Sequence, residues 1–289
     1  MSYFNNKKCL ITGAASGIGR ATALALAKQG AALALTDINA EALQQVAQDA
    51  HTLGGKILGT FPADIADYDA IKHMAEQLHN EHQAMDVVMN IAGISTWGSI
   101  DKLEHRHWRQ LIEINLMGPI HVLELFVPPM IEAKQGGHIV NVSSAAGLFG
   151  LPWHSAYSAT KFGLRGISEV LRFDLRQHHI HVSLVCPGAV NTGLVQTVNI
   201  VGFDRNHPKV KKLVGRFQRH AVTPEQAAEK ILKGVRKKRY MVYTSWDIAF
   251  GHWFTRKFSW PYEIAMRTLS RIINRTAKAV EQDAKNQQN

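Results

Sequence analysis

Thr12-Gly13-Ala14-Ala15-Ser16-Gly17-Ile18-Gly19 follows directly on the apolar run Lys8–Thr12 and leads into a stretch of helical periodicity, Gly17–Lys28. A strand, a glycine-rich turn and a helix in that order open a βαβ unit. Outward from this turn the same phrase recurs. Candidate strands at Ala32–Thr36, Lys56–Phe61, Val87–Asn90, His138–Val142, His181–Cys186 and Tyr240–Tyr243 alternate with amphipathic stretches at Ala40–Leu53, Tyr68–His82, Glu104–Lys134, Ala156–His178 and Thr223–Lys237. The long stretch at 104–134 is interrupted at Gly118-Pro119 and Pro128-Pro129. The alternation predicts an α/β fold: a doubly wound parallel sheet of seven strands, with its ligand crevice at the strands' carboxyl ends. The segment Asn191–His220 lacks a strand and carries Gly193, Gly202, Pro208 and Gly215, so it is read as a lid.

The chemistry expected of the opening turn follows from its residues. Gly13, Gly17 and Gly19, with Ser16 and Ile18 between them, let the backbone approach a pyrophosphate, and the helix amino terminus offers free N–H groups. Asp37 ends the second strand 20 residues after Gly17, where a carboxylate would accept hydrogen bonds from an adenosine ribose. The alternative for Asp37 is to cap the next helix. The same carboxylate repels a ribose 2′-phosphate, and Ser16 and Ile38 stand where a compensating cation would sit, so NAD is favoured over NADP. Asp64 and Ile65, beyond the third strand, would border the adenine, and Asn90-Ile91-Ala92-Gly93 closes the fourth strand on the same crevice.

Tyr157 and Lys161 lie one helical turn apart, and Ser144 comes 13 residues before Tyr157, just past the fifth strand. A Tyr ionises near pH 10, so using it as a base near pH 7 needs about 4 kcal/mol of differential stabilisation. A neighbouring ammonium and the positive ring of an oxidised nicotinamide can supply that.

Taken together, Thr12-Gly-x-x-x-Gly17-Ile-Gly19, Asn90-x-Ala92-Gly93, Asn115, Ser144, Tyr157-x-x-x-Lys161 and Pro187-Gly188 with Thr192 resemble the short-chain dehydrogenase/reductase family over roughly Lys7 to Tyr243. The resemblance implies a Rossmann-type dinucleotide-binding and catalytic domain over 1–243, followed by a C-terminal extension, 244–289. It implies Tyr157 as general acid/base, Ser144 as orienter of the substrate oxygen, Lys161 as partner of the nicotinamide ribose that lowers the tyrosine pKa, and Asn115 as holder of a relay water. Pro187, Gly188, Val190 and Thr192 would border the nicotinamide, with Thr192 on the carboxamide. Ile91 departs from the family pattern, which usually has a second Asn there. Homodimers or homotetramers are expected, paired through the helices at 104–134 and 156–178.

Composition bounds the remainder. The 289 residues, 46% hydrophobic and 19% charged, suit one domain with an appendage. Cys9 and Cys186, each in an apolar run, read as buried reduced thiols, so a cytoplasmic protein is expected. The polar Met1–Lys8 is not expected to act as a secretory signal, and no run approaches the roughly 18 uncharged apolar residues of a membrane span. The 15 histidines include no set with zinc spacing, so no protein-bound metal is expected. His154, three residues before Tyr157, reads either as a surface residue or as part of the substrate mouth.

Up to Asp204 there are 14 Lys+Arg against 17 Asp+Glu, and from Arg205 onward 19 against 6. These cations are scattered and accompany no nucleic-acid motif, so no nucleic-acid partner is expected. Mixed with Trp246, Trp253 and Trp260, they fit a solvated appendage, a cover over the substrate or a peripheral membrane contact. The expectation is an NAD(H)-dependent oxidoreductase acting on a lipophilic alcohol or carbonyl compound, its pocket walled by Trp97, Phe149, Leu151, Trp153 and the lid. The alternative is an inactive dinucleotide-sensing or scaffold protein of the same fold.

Overall fold

Parallel strands covered on both faces are mainly apolar, and so, apart from polar residues such as Asn90, His138, Asn141 and Ser183 set among them, are the seven strands of this sheet. They are β1 (Lys8–Thr12), β2 (Ala32–Asp37), β3 (Lys56–Pro62), β4 (Val87–Asn90), β6 (Gly137–Val142), β7 (Ile180–Cys186) and β9 (Met241–Tyr243). In this computed structural model, which describes residues 2–193, 198–202, 207–218 and 221–286, they pair in the order β3-β2-β1-β4-β6-β7-β9, every pairing parallel. The order reverses direction beside β1, and a doubly wound sheet binds its ligand at such a switch point.

Two apolar layers cover the sheet. On one face α1 (Gly17–Ala27), α2 (Ala40–Thr52) and α8 (Pro224–Arg236) bury Leu26, Val46, Ile231 and Val235 against Ile11, Leu33 and Met89. On the other, α3 (Tyr68–His82), α5 (Gly118–Ala133) and α6 (Ser155–Asp174) enclose Ile71, Met74, Phe126 and Met130 with Leu10, Val88 and Ile139. Phe126 is fully buried; truncating such a ring to Ala costs about 3–5 kcal/mol. Side chains set the helix starts. Asn39 and Asp67 accept from Ala42 N and Ala70 N, and Thr223 forms a reciprocal capping box with Gln226 ahead of Pro224.

The expected break in the long helix does not occur. From His105 to Ala133 the helix is continuous: α4 (His105–Ile112) passes through a π turn at Glu113–Met117 into α5, with Pro128 and Pro129 inside it. By length and composition it could cross a membrane, against the sequence reading, but half of its apolar window is buried inside the fold.

The segment at 191–220 also departs from expectation. It contains a strand, β8 (Asn199–Ile200), paired in parallel with β5 (Thr96–Trp97), and a helix, α7 (Pro208–Gln218). Residues 194–197, 203–206 and 219–220 of the expected lid lie outside the described residues. Two further helices close the chain, α9 (Trp246–Lys257) and α10 (Ser259–Asn286).

Candidate active site

The glycine turn is pressed against the end of β4. Gly13 has φ +67, and a Cβ there would lie 2.7 Å from Ala92 Cα, so no other residue fits without displacing backbone. Thr12 Oγ1 accepts from both Ile91 N and Ala92 N at 3.1 Å, tying the first and fourth turns together. Asp37 Oδ2 accepts from Ala15 N at 3.0 Å and Oδ1 from Asn39 N at 3.0 Å. Asn39, not Asp37, caps α2. The acid therefore braces the glycine turn while lining the crevice behind it.

That crevice, of about 510 Å³, runs from Asp37 and Asp64 past the glycine turn to Ser144, Tyr157 and Lys161. Ile65, Ala92, Gly93, Pro187, Gly188, Val190 and Thr192 line it as well. So do Gln110, Ile114 and Ser143, which were not anticipated; Gln110 and Ile114 stand four residues apart on the helix, a spacing that could have marked them. Asp64 also accepts from Ala66 N at 2.9 Å, an Asx turn that fixes its carboxylate.

Two expected residues do not reach the crevice. Asn90 is buried between strands, where its Nδ2 donates to Asn141 Oδ1 at 2.9 Å and Asn141 donates to Ser168. Asn115, in the π turn, exchanges two 2.8 Å bonds with the Ile94 backbone. A Cβ built on Gly93 would be 3.0 Å from Asn115 Oδ1 and 3.4 Å from Lys161 Nζ, so the glycine keeps a small space open between them.

Burial governs the ionisable groups. Lys161 Nζ donates to Val142 O at 3.0 Å, and desolvation lowers its pKa from 10.5 to about 8. Desolvation raises Tyr157 above its ordinary value, and a hydrogen bond with Ser144 opposes the rise. The lowered tyrosine expected from Lys161 is thus not produced by the protein's own groups: the ammonium lies 5.7 Å from the ring centroid. Ser144 Oγ accepts from Ala146 N at 3.1 Å, which leaves its hydrogen to donate.

A small apolar cavity of about 30 Å³ is lined by Trp97, Trp153, His154, Val210, Val214 and Ile273, among others. His154 is buried, not superficial. Its ring lies 4.6 Å from that of Trp97 and 6.3 Å from that of Tyr157, and burial lowers its pKa. Trp153 adopts φ +66, a strained value for a bulky residue, and its Nε1 donates to Asn274 Oδ1 on α10 at 3.0 Å. Phe149 and Leu151 pack in a cluster with Leu184, Cys186 and Tyr262, and Leu151 also packs against the cluster of Leu111, Ala146, Ala156 and Tyr157. Of the extension, α10 closes the cavity through Ile273, Thr276 and Ala277. Its Tyr262 hydroxyl accepts from Gly150 N at 2.7 Å, and its Asp283 pairs with Lys209 of α7 at 2.6 Å.

Cys9 and Cys186 are both free and buried, and desolvation raises both thiols, Cys186 to about 12. Among the described residues no three His, Cys, Asp or Glu are grouped to hold a metal ion.

A doubly wound sheet whose switch-point crevice joins a glycine cradle to Ser144 and the buried Tyr157 and Lys161 defines a dinucleotide-dependent oxidoreductase. Residues 7–200 match the family model described as short chain dehydrogenase, and the chain belongs to that family, whose enzymes act on CH–OH groups with a nicotinamide dinucleotide and commonly form oligomers. It is 35% identical over 227 residues to the cyclohexanol dehydrogenase of Acinetobacter sp., covering 78% of this chain and 86% of that one. A short chain dehydrogenase/reductase from Burkholderia phymatum in complex with NAD superposes with a TM-score of 0.79 at 25% identity, over 87% of this chain and 93% of that one. A metagenomic short-chain oxidoreductase in complex with NADP gives 0.67 at 29% identity, over 84% and 96%.

Proposed function

We propose that the protein is an NAD(H)-dependent oxidoreductase interconverting a lipophilic alcohol and its ketone or aldehyde. The observation that carries this reading is the convergence of Ser144, Tyr157 and Lys161 in the dinucleotide crevice, with the rings of His154 and Trp97 packed in turn beside Tyr157. When bound, the dinucleotide supplies or accepts the hydride. In reduction Tyr157 Oη gives its proton to the carbonyl oxygen; in oxidation it takes the alcohol proton. Ser144 donates a hydrogen bond to the same oxygen. Lys161 keeps a positive charge beside the phenol at neutral pH, and the space at Gly93, between Lys161 and Asn115, suits a relay water.

Residues supporting NAD over NADP are Asp37 and its surroundings. Among the described residues the crevice lining includes no Arg and a single Lys, Lys161, far along the crevice from Asp37, while Ile38 is 71% exposed and Arg20 is paired with Asp49 at 3.0 Å. A homodimer or homotetramer through α4–α5 and α6 is supported by Ile112, Phe162, Val170 and Phe173, which are exposed on those helices. The test is to incubate the protein with NAD⁺ or NADP⁺ and a panel of linear, cyclic and polycyclic alcohols, following absorbance of the reduced cofactor. Turnover with NAD⁺ that favours the more apolar alcohols supports the reading. Dinucleotide binding without turnover on any alcohol would return the protein to the sensing or scaffold class.

A further inference from the structure

The helix α9 is packed inside out. A surface helix normally buries its large apolar residues and turns small and polar ones to water. Here Gly251 faces Phe149, His252 is buried with its Nδ1 2.8 Å from the Tyr243 hydroxyl, and Ile248 lies against Gly188 at the rim of the crevice. The aromatic residues point outward. Trp246, Phe250, Trp253 and Phe258 are 78%, 52%, 55% and 46% exposed, and Trp260 beyond them is 68% exposed. Their rings form a connected row, from Trp246 to Phe250 at 6.2 Å, Phe250 to Phe254 at 5.8 Å and Phe254 to Phe258 at 5.1 Å.

Trp246 also lines a groove of about 260 Å³ at the β9 edge, together with Lys230, Lys233 and Arg239. These three cations are exposed, and so are Arg256 and Lys257 at the far end of α9. None of the five has an ion pair among the described residues, whereas Asp247 on α9 and Glu225 and Glu229 on α8 are the acids nearby in sequence.

We propose that the aromatic face of α9 and the adjoining cationic groove form a docking surface for an anionic phospholipid bilayer. Trp and Phe enter the boundary between headgroups and acyl chains while lysines and arginines meet the phosphates, the division of labour of an interfacial helix. A second copy of the chain is the poorer occupant, because pairing this face with itself brings two sets of the same uncompensated cations together. The surface is separate from the residues that carry catalysis, and docking does not depend on the substrate reading.

The full-length protein, without dinucleotide or substrate, is sedimented with vesicles of phosphatidylcholine alone or mixed with phosphatidylserine. Binding is expected to the mixed vesicles only, and to be released by salt. The double variants Trp246→Ala/Trp253→Ala and Lys230→Glu/Lys233→Glu alter exposed positions. Each should lower partitioning roughly tenfold or more, with unchanged turnover and unchanged circular dichroism. Absent binding to the mixed vesicles at low salt, or binding indifferent to both variants, overturns the proposal. So does a dimer that the Trp variant dissociates while vesicle binding persists, since the face would then be an interface between copies. Because vesicle binding is read without turnover, these outcomes leave the oxidoreductase reading untouched, and inactivity on alcohols leaves this one untouched.

Discussion

Replacing Lys161 by Met should make the protein more stable at neutral pH while abolishing its activity. Lys161 is 4% exposed and has one recorded hydrogen-bond acceptor, Val142 O. A fall in its pKa from 10.5 to about 8 means that holding the ammonium in the fold costs about 3 kcal/mol. Leaving Val142 O without its donor gives back about 1 kcal/mol of that, so Lys161→Met should gain about 2 kcal/mol at pH 7. The pH dependence has a definite sign. Below the folded-state pKa the lysine is charged in both states and the full cost is present. Between that value and 10.5 the unfolded chain binds more protons than the folded one, so wild-type stability rises with pH and the cost fades. Urea unfolding of both proteins, followed by circular dichroism at pH 7 and pH 10 without added dinucleotide, measures the difference directly. A variant no more stable than wild type at pH 7, or a gap that does not narrow at pH 10, would refute the burial argument.

Other outcomes follow from the same geometry. Tyr157→Phe should lower turnover on the order of 10²–10⁴-fold with dinucleotide affinity nearly unchanged, read by steady-state kinetics and fluorescence titration. Since burial raises Tyr157, alcohol oxidation should climb as pH rises above neutral and carbonyl reduction should not, and a pH profile flat in both directions would contradict the assignment. Asp37→Ala combined with Ile38→Arg should move preference towards NADP, measured as the ratio of kcat/KM values; a wild type already preferring NADP defeats the argument from Asp37.

The seven main strands were legible to within a residue or two because each is a short, mainly apolar run, fully buried at the centre of the sheet, as in Leu33 to Leu35. The glycine turn was legible because Gly13 sits in backbone contact with Ala92, a constraint that leaves a mark on residue choice. Two-residue strands such as Thr96–Trp97 and Asn199–Ile200 are too short to show a period. Asp37 bracing the turn, and His154 drawn inward beside the left-handed Trp153, depend on contacts between distant segments and have no local signature. The extension's residues left three roles open, and composition could not divide them between its helices: α10 closes the cavity through Ile273, Thr276 and Ala277 while the Trp side chains of α9 face outward.

The π turn at Glu113–Met117 has a consequence for the whole of its helix. It takes up one residue more than an α turn, so everything after it is rotated by about 100° relative to a regular continuation. Leu111, upstream, meets Ala146 and Tyr157, whereas Val122 and Phe126, downstream, meet the sheet. A single rod thereby serves two cores that a regular helix would hold on one stripe. Deleting one residue from the turn would set the halves in phase and force a choice between seating the sheet and shaping the catalytic pocket.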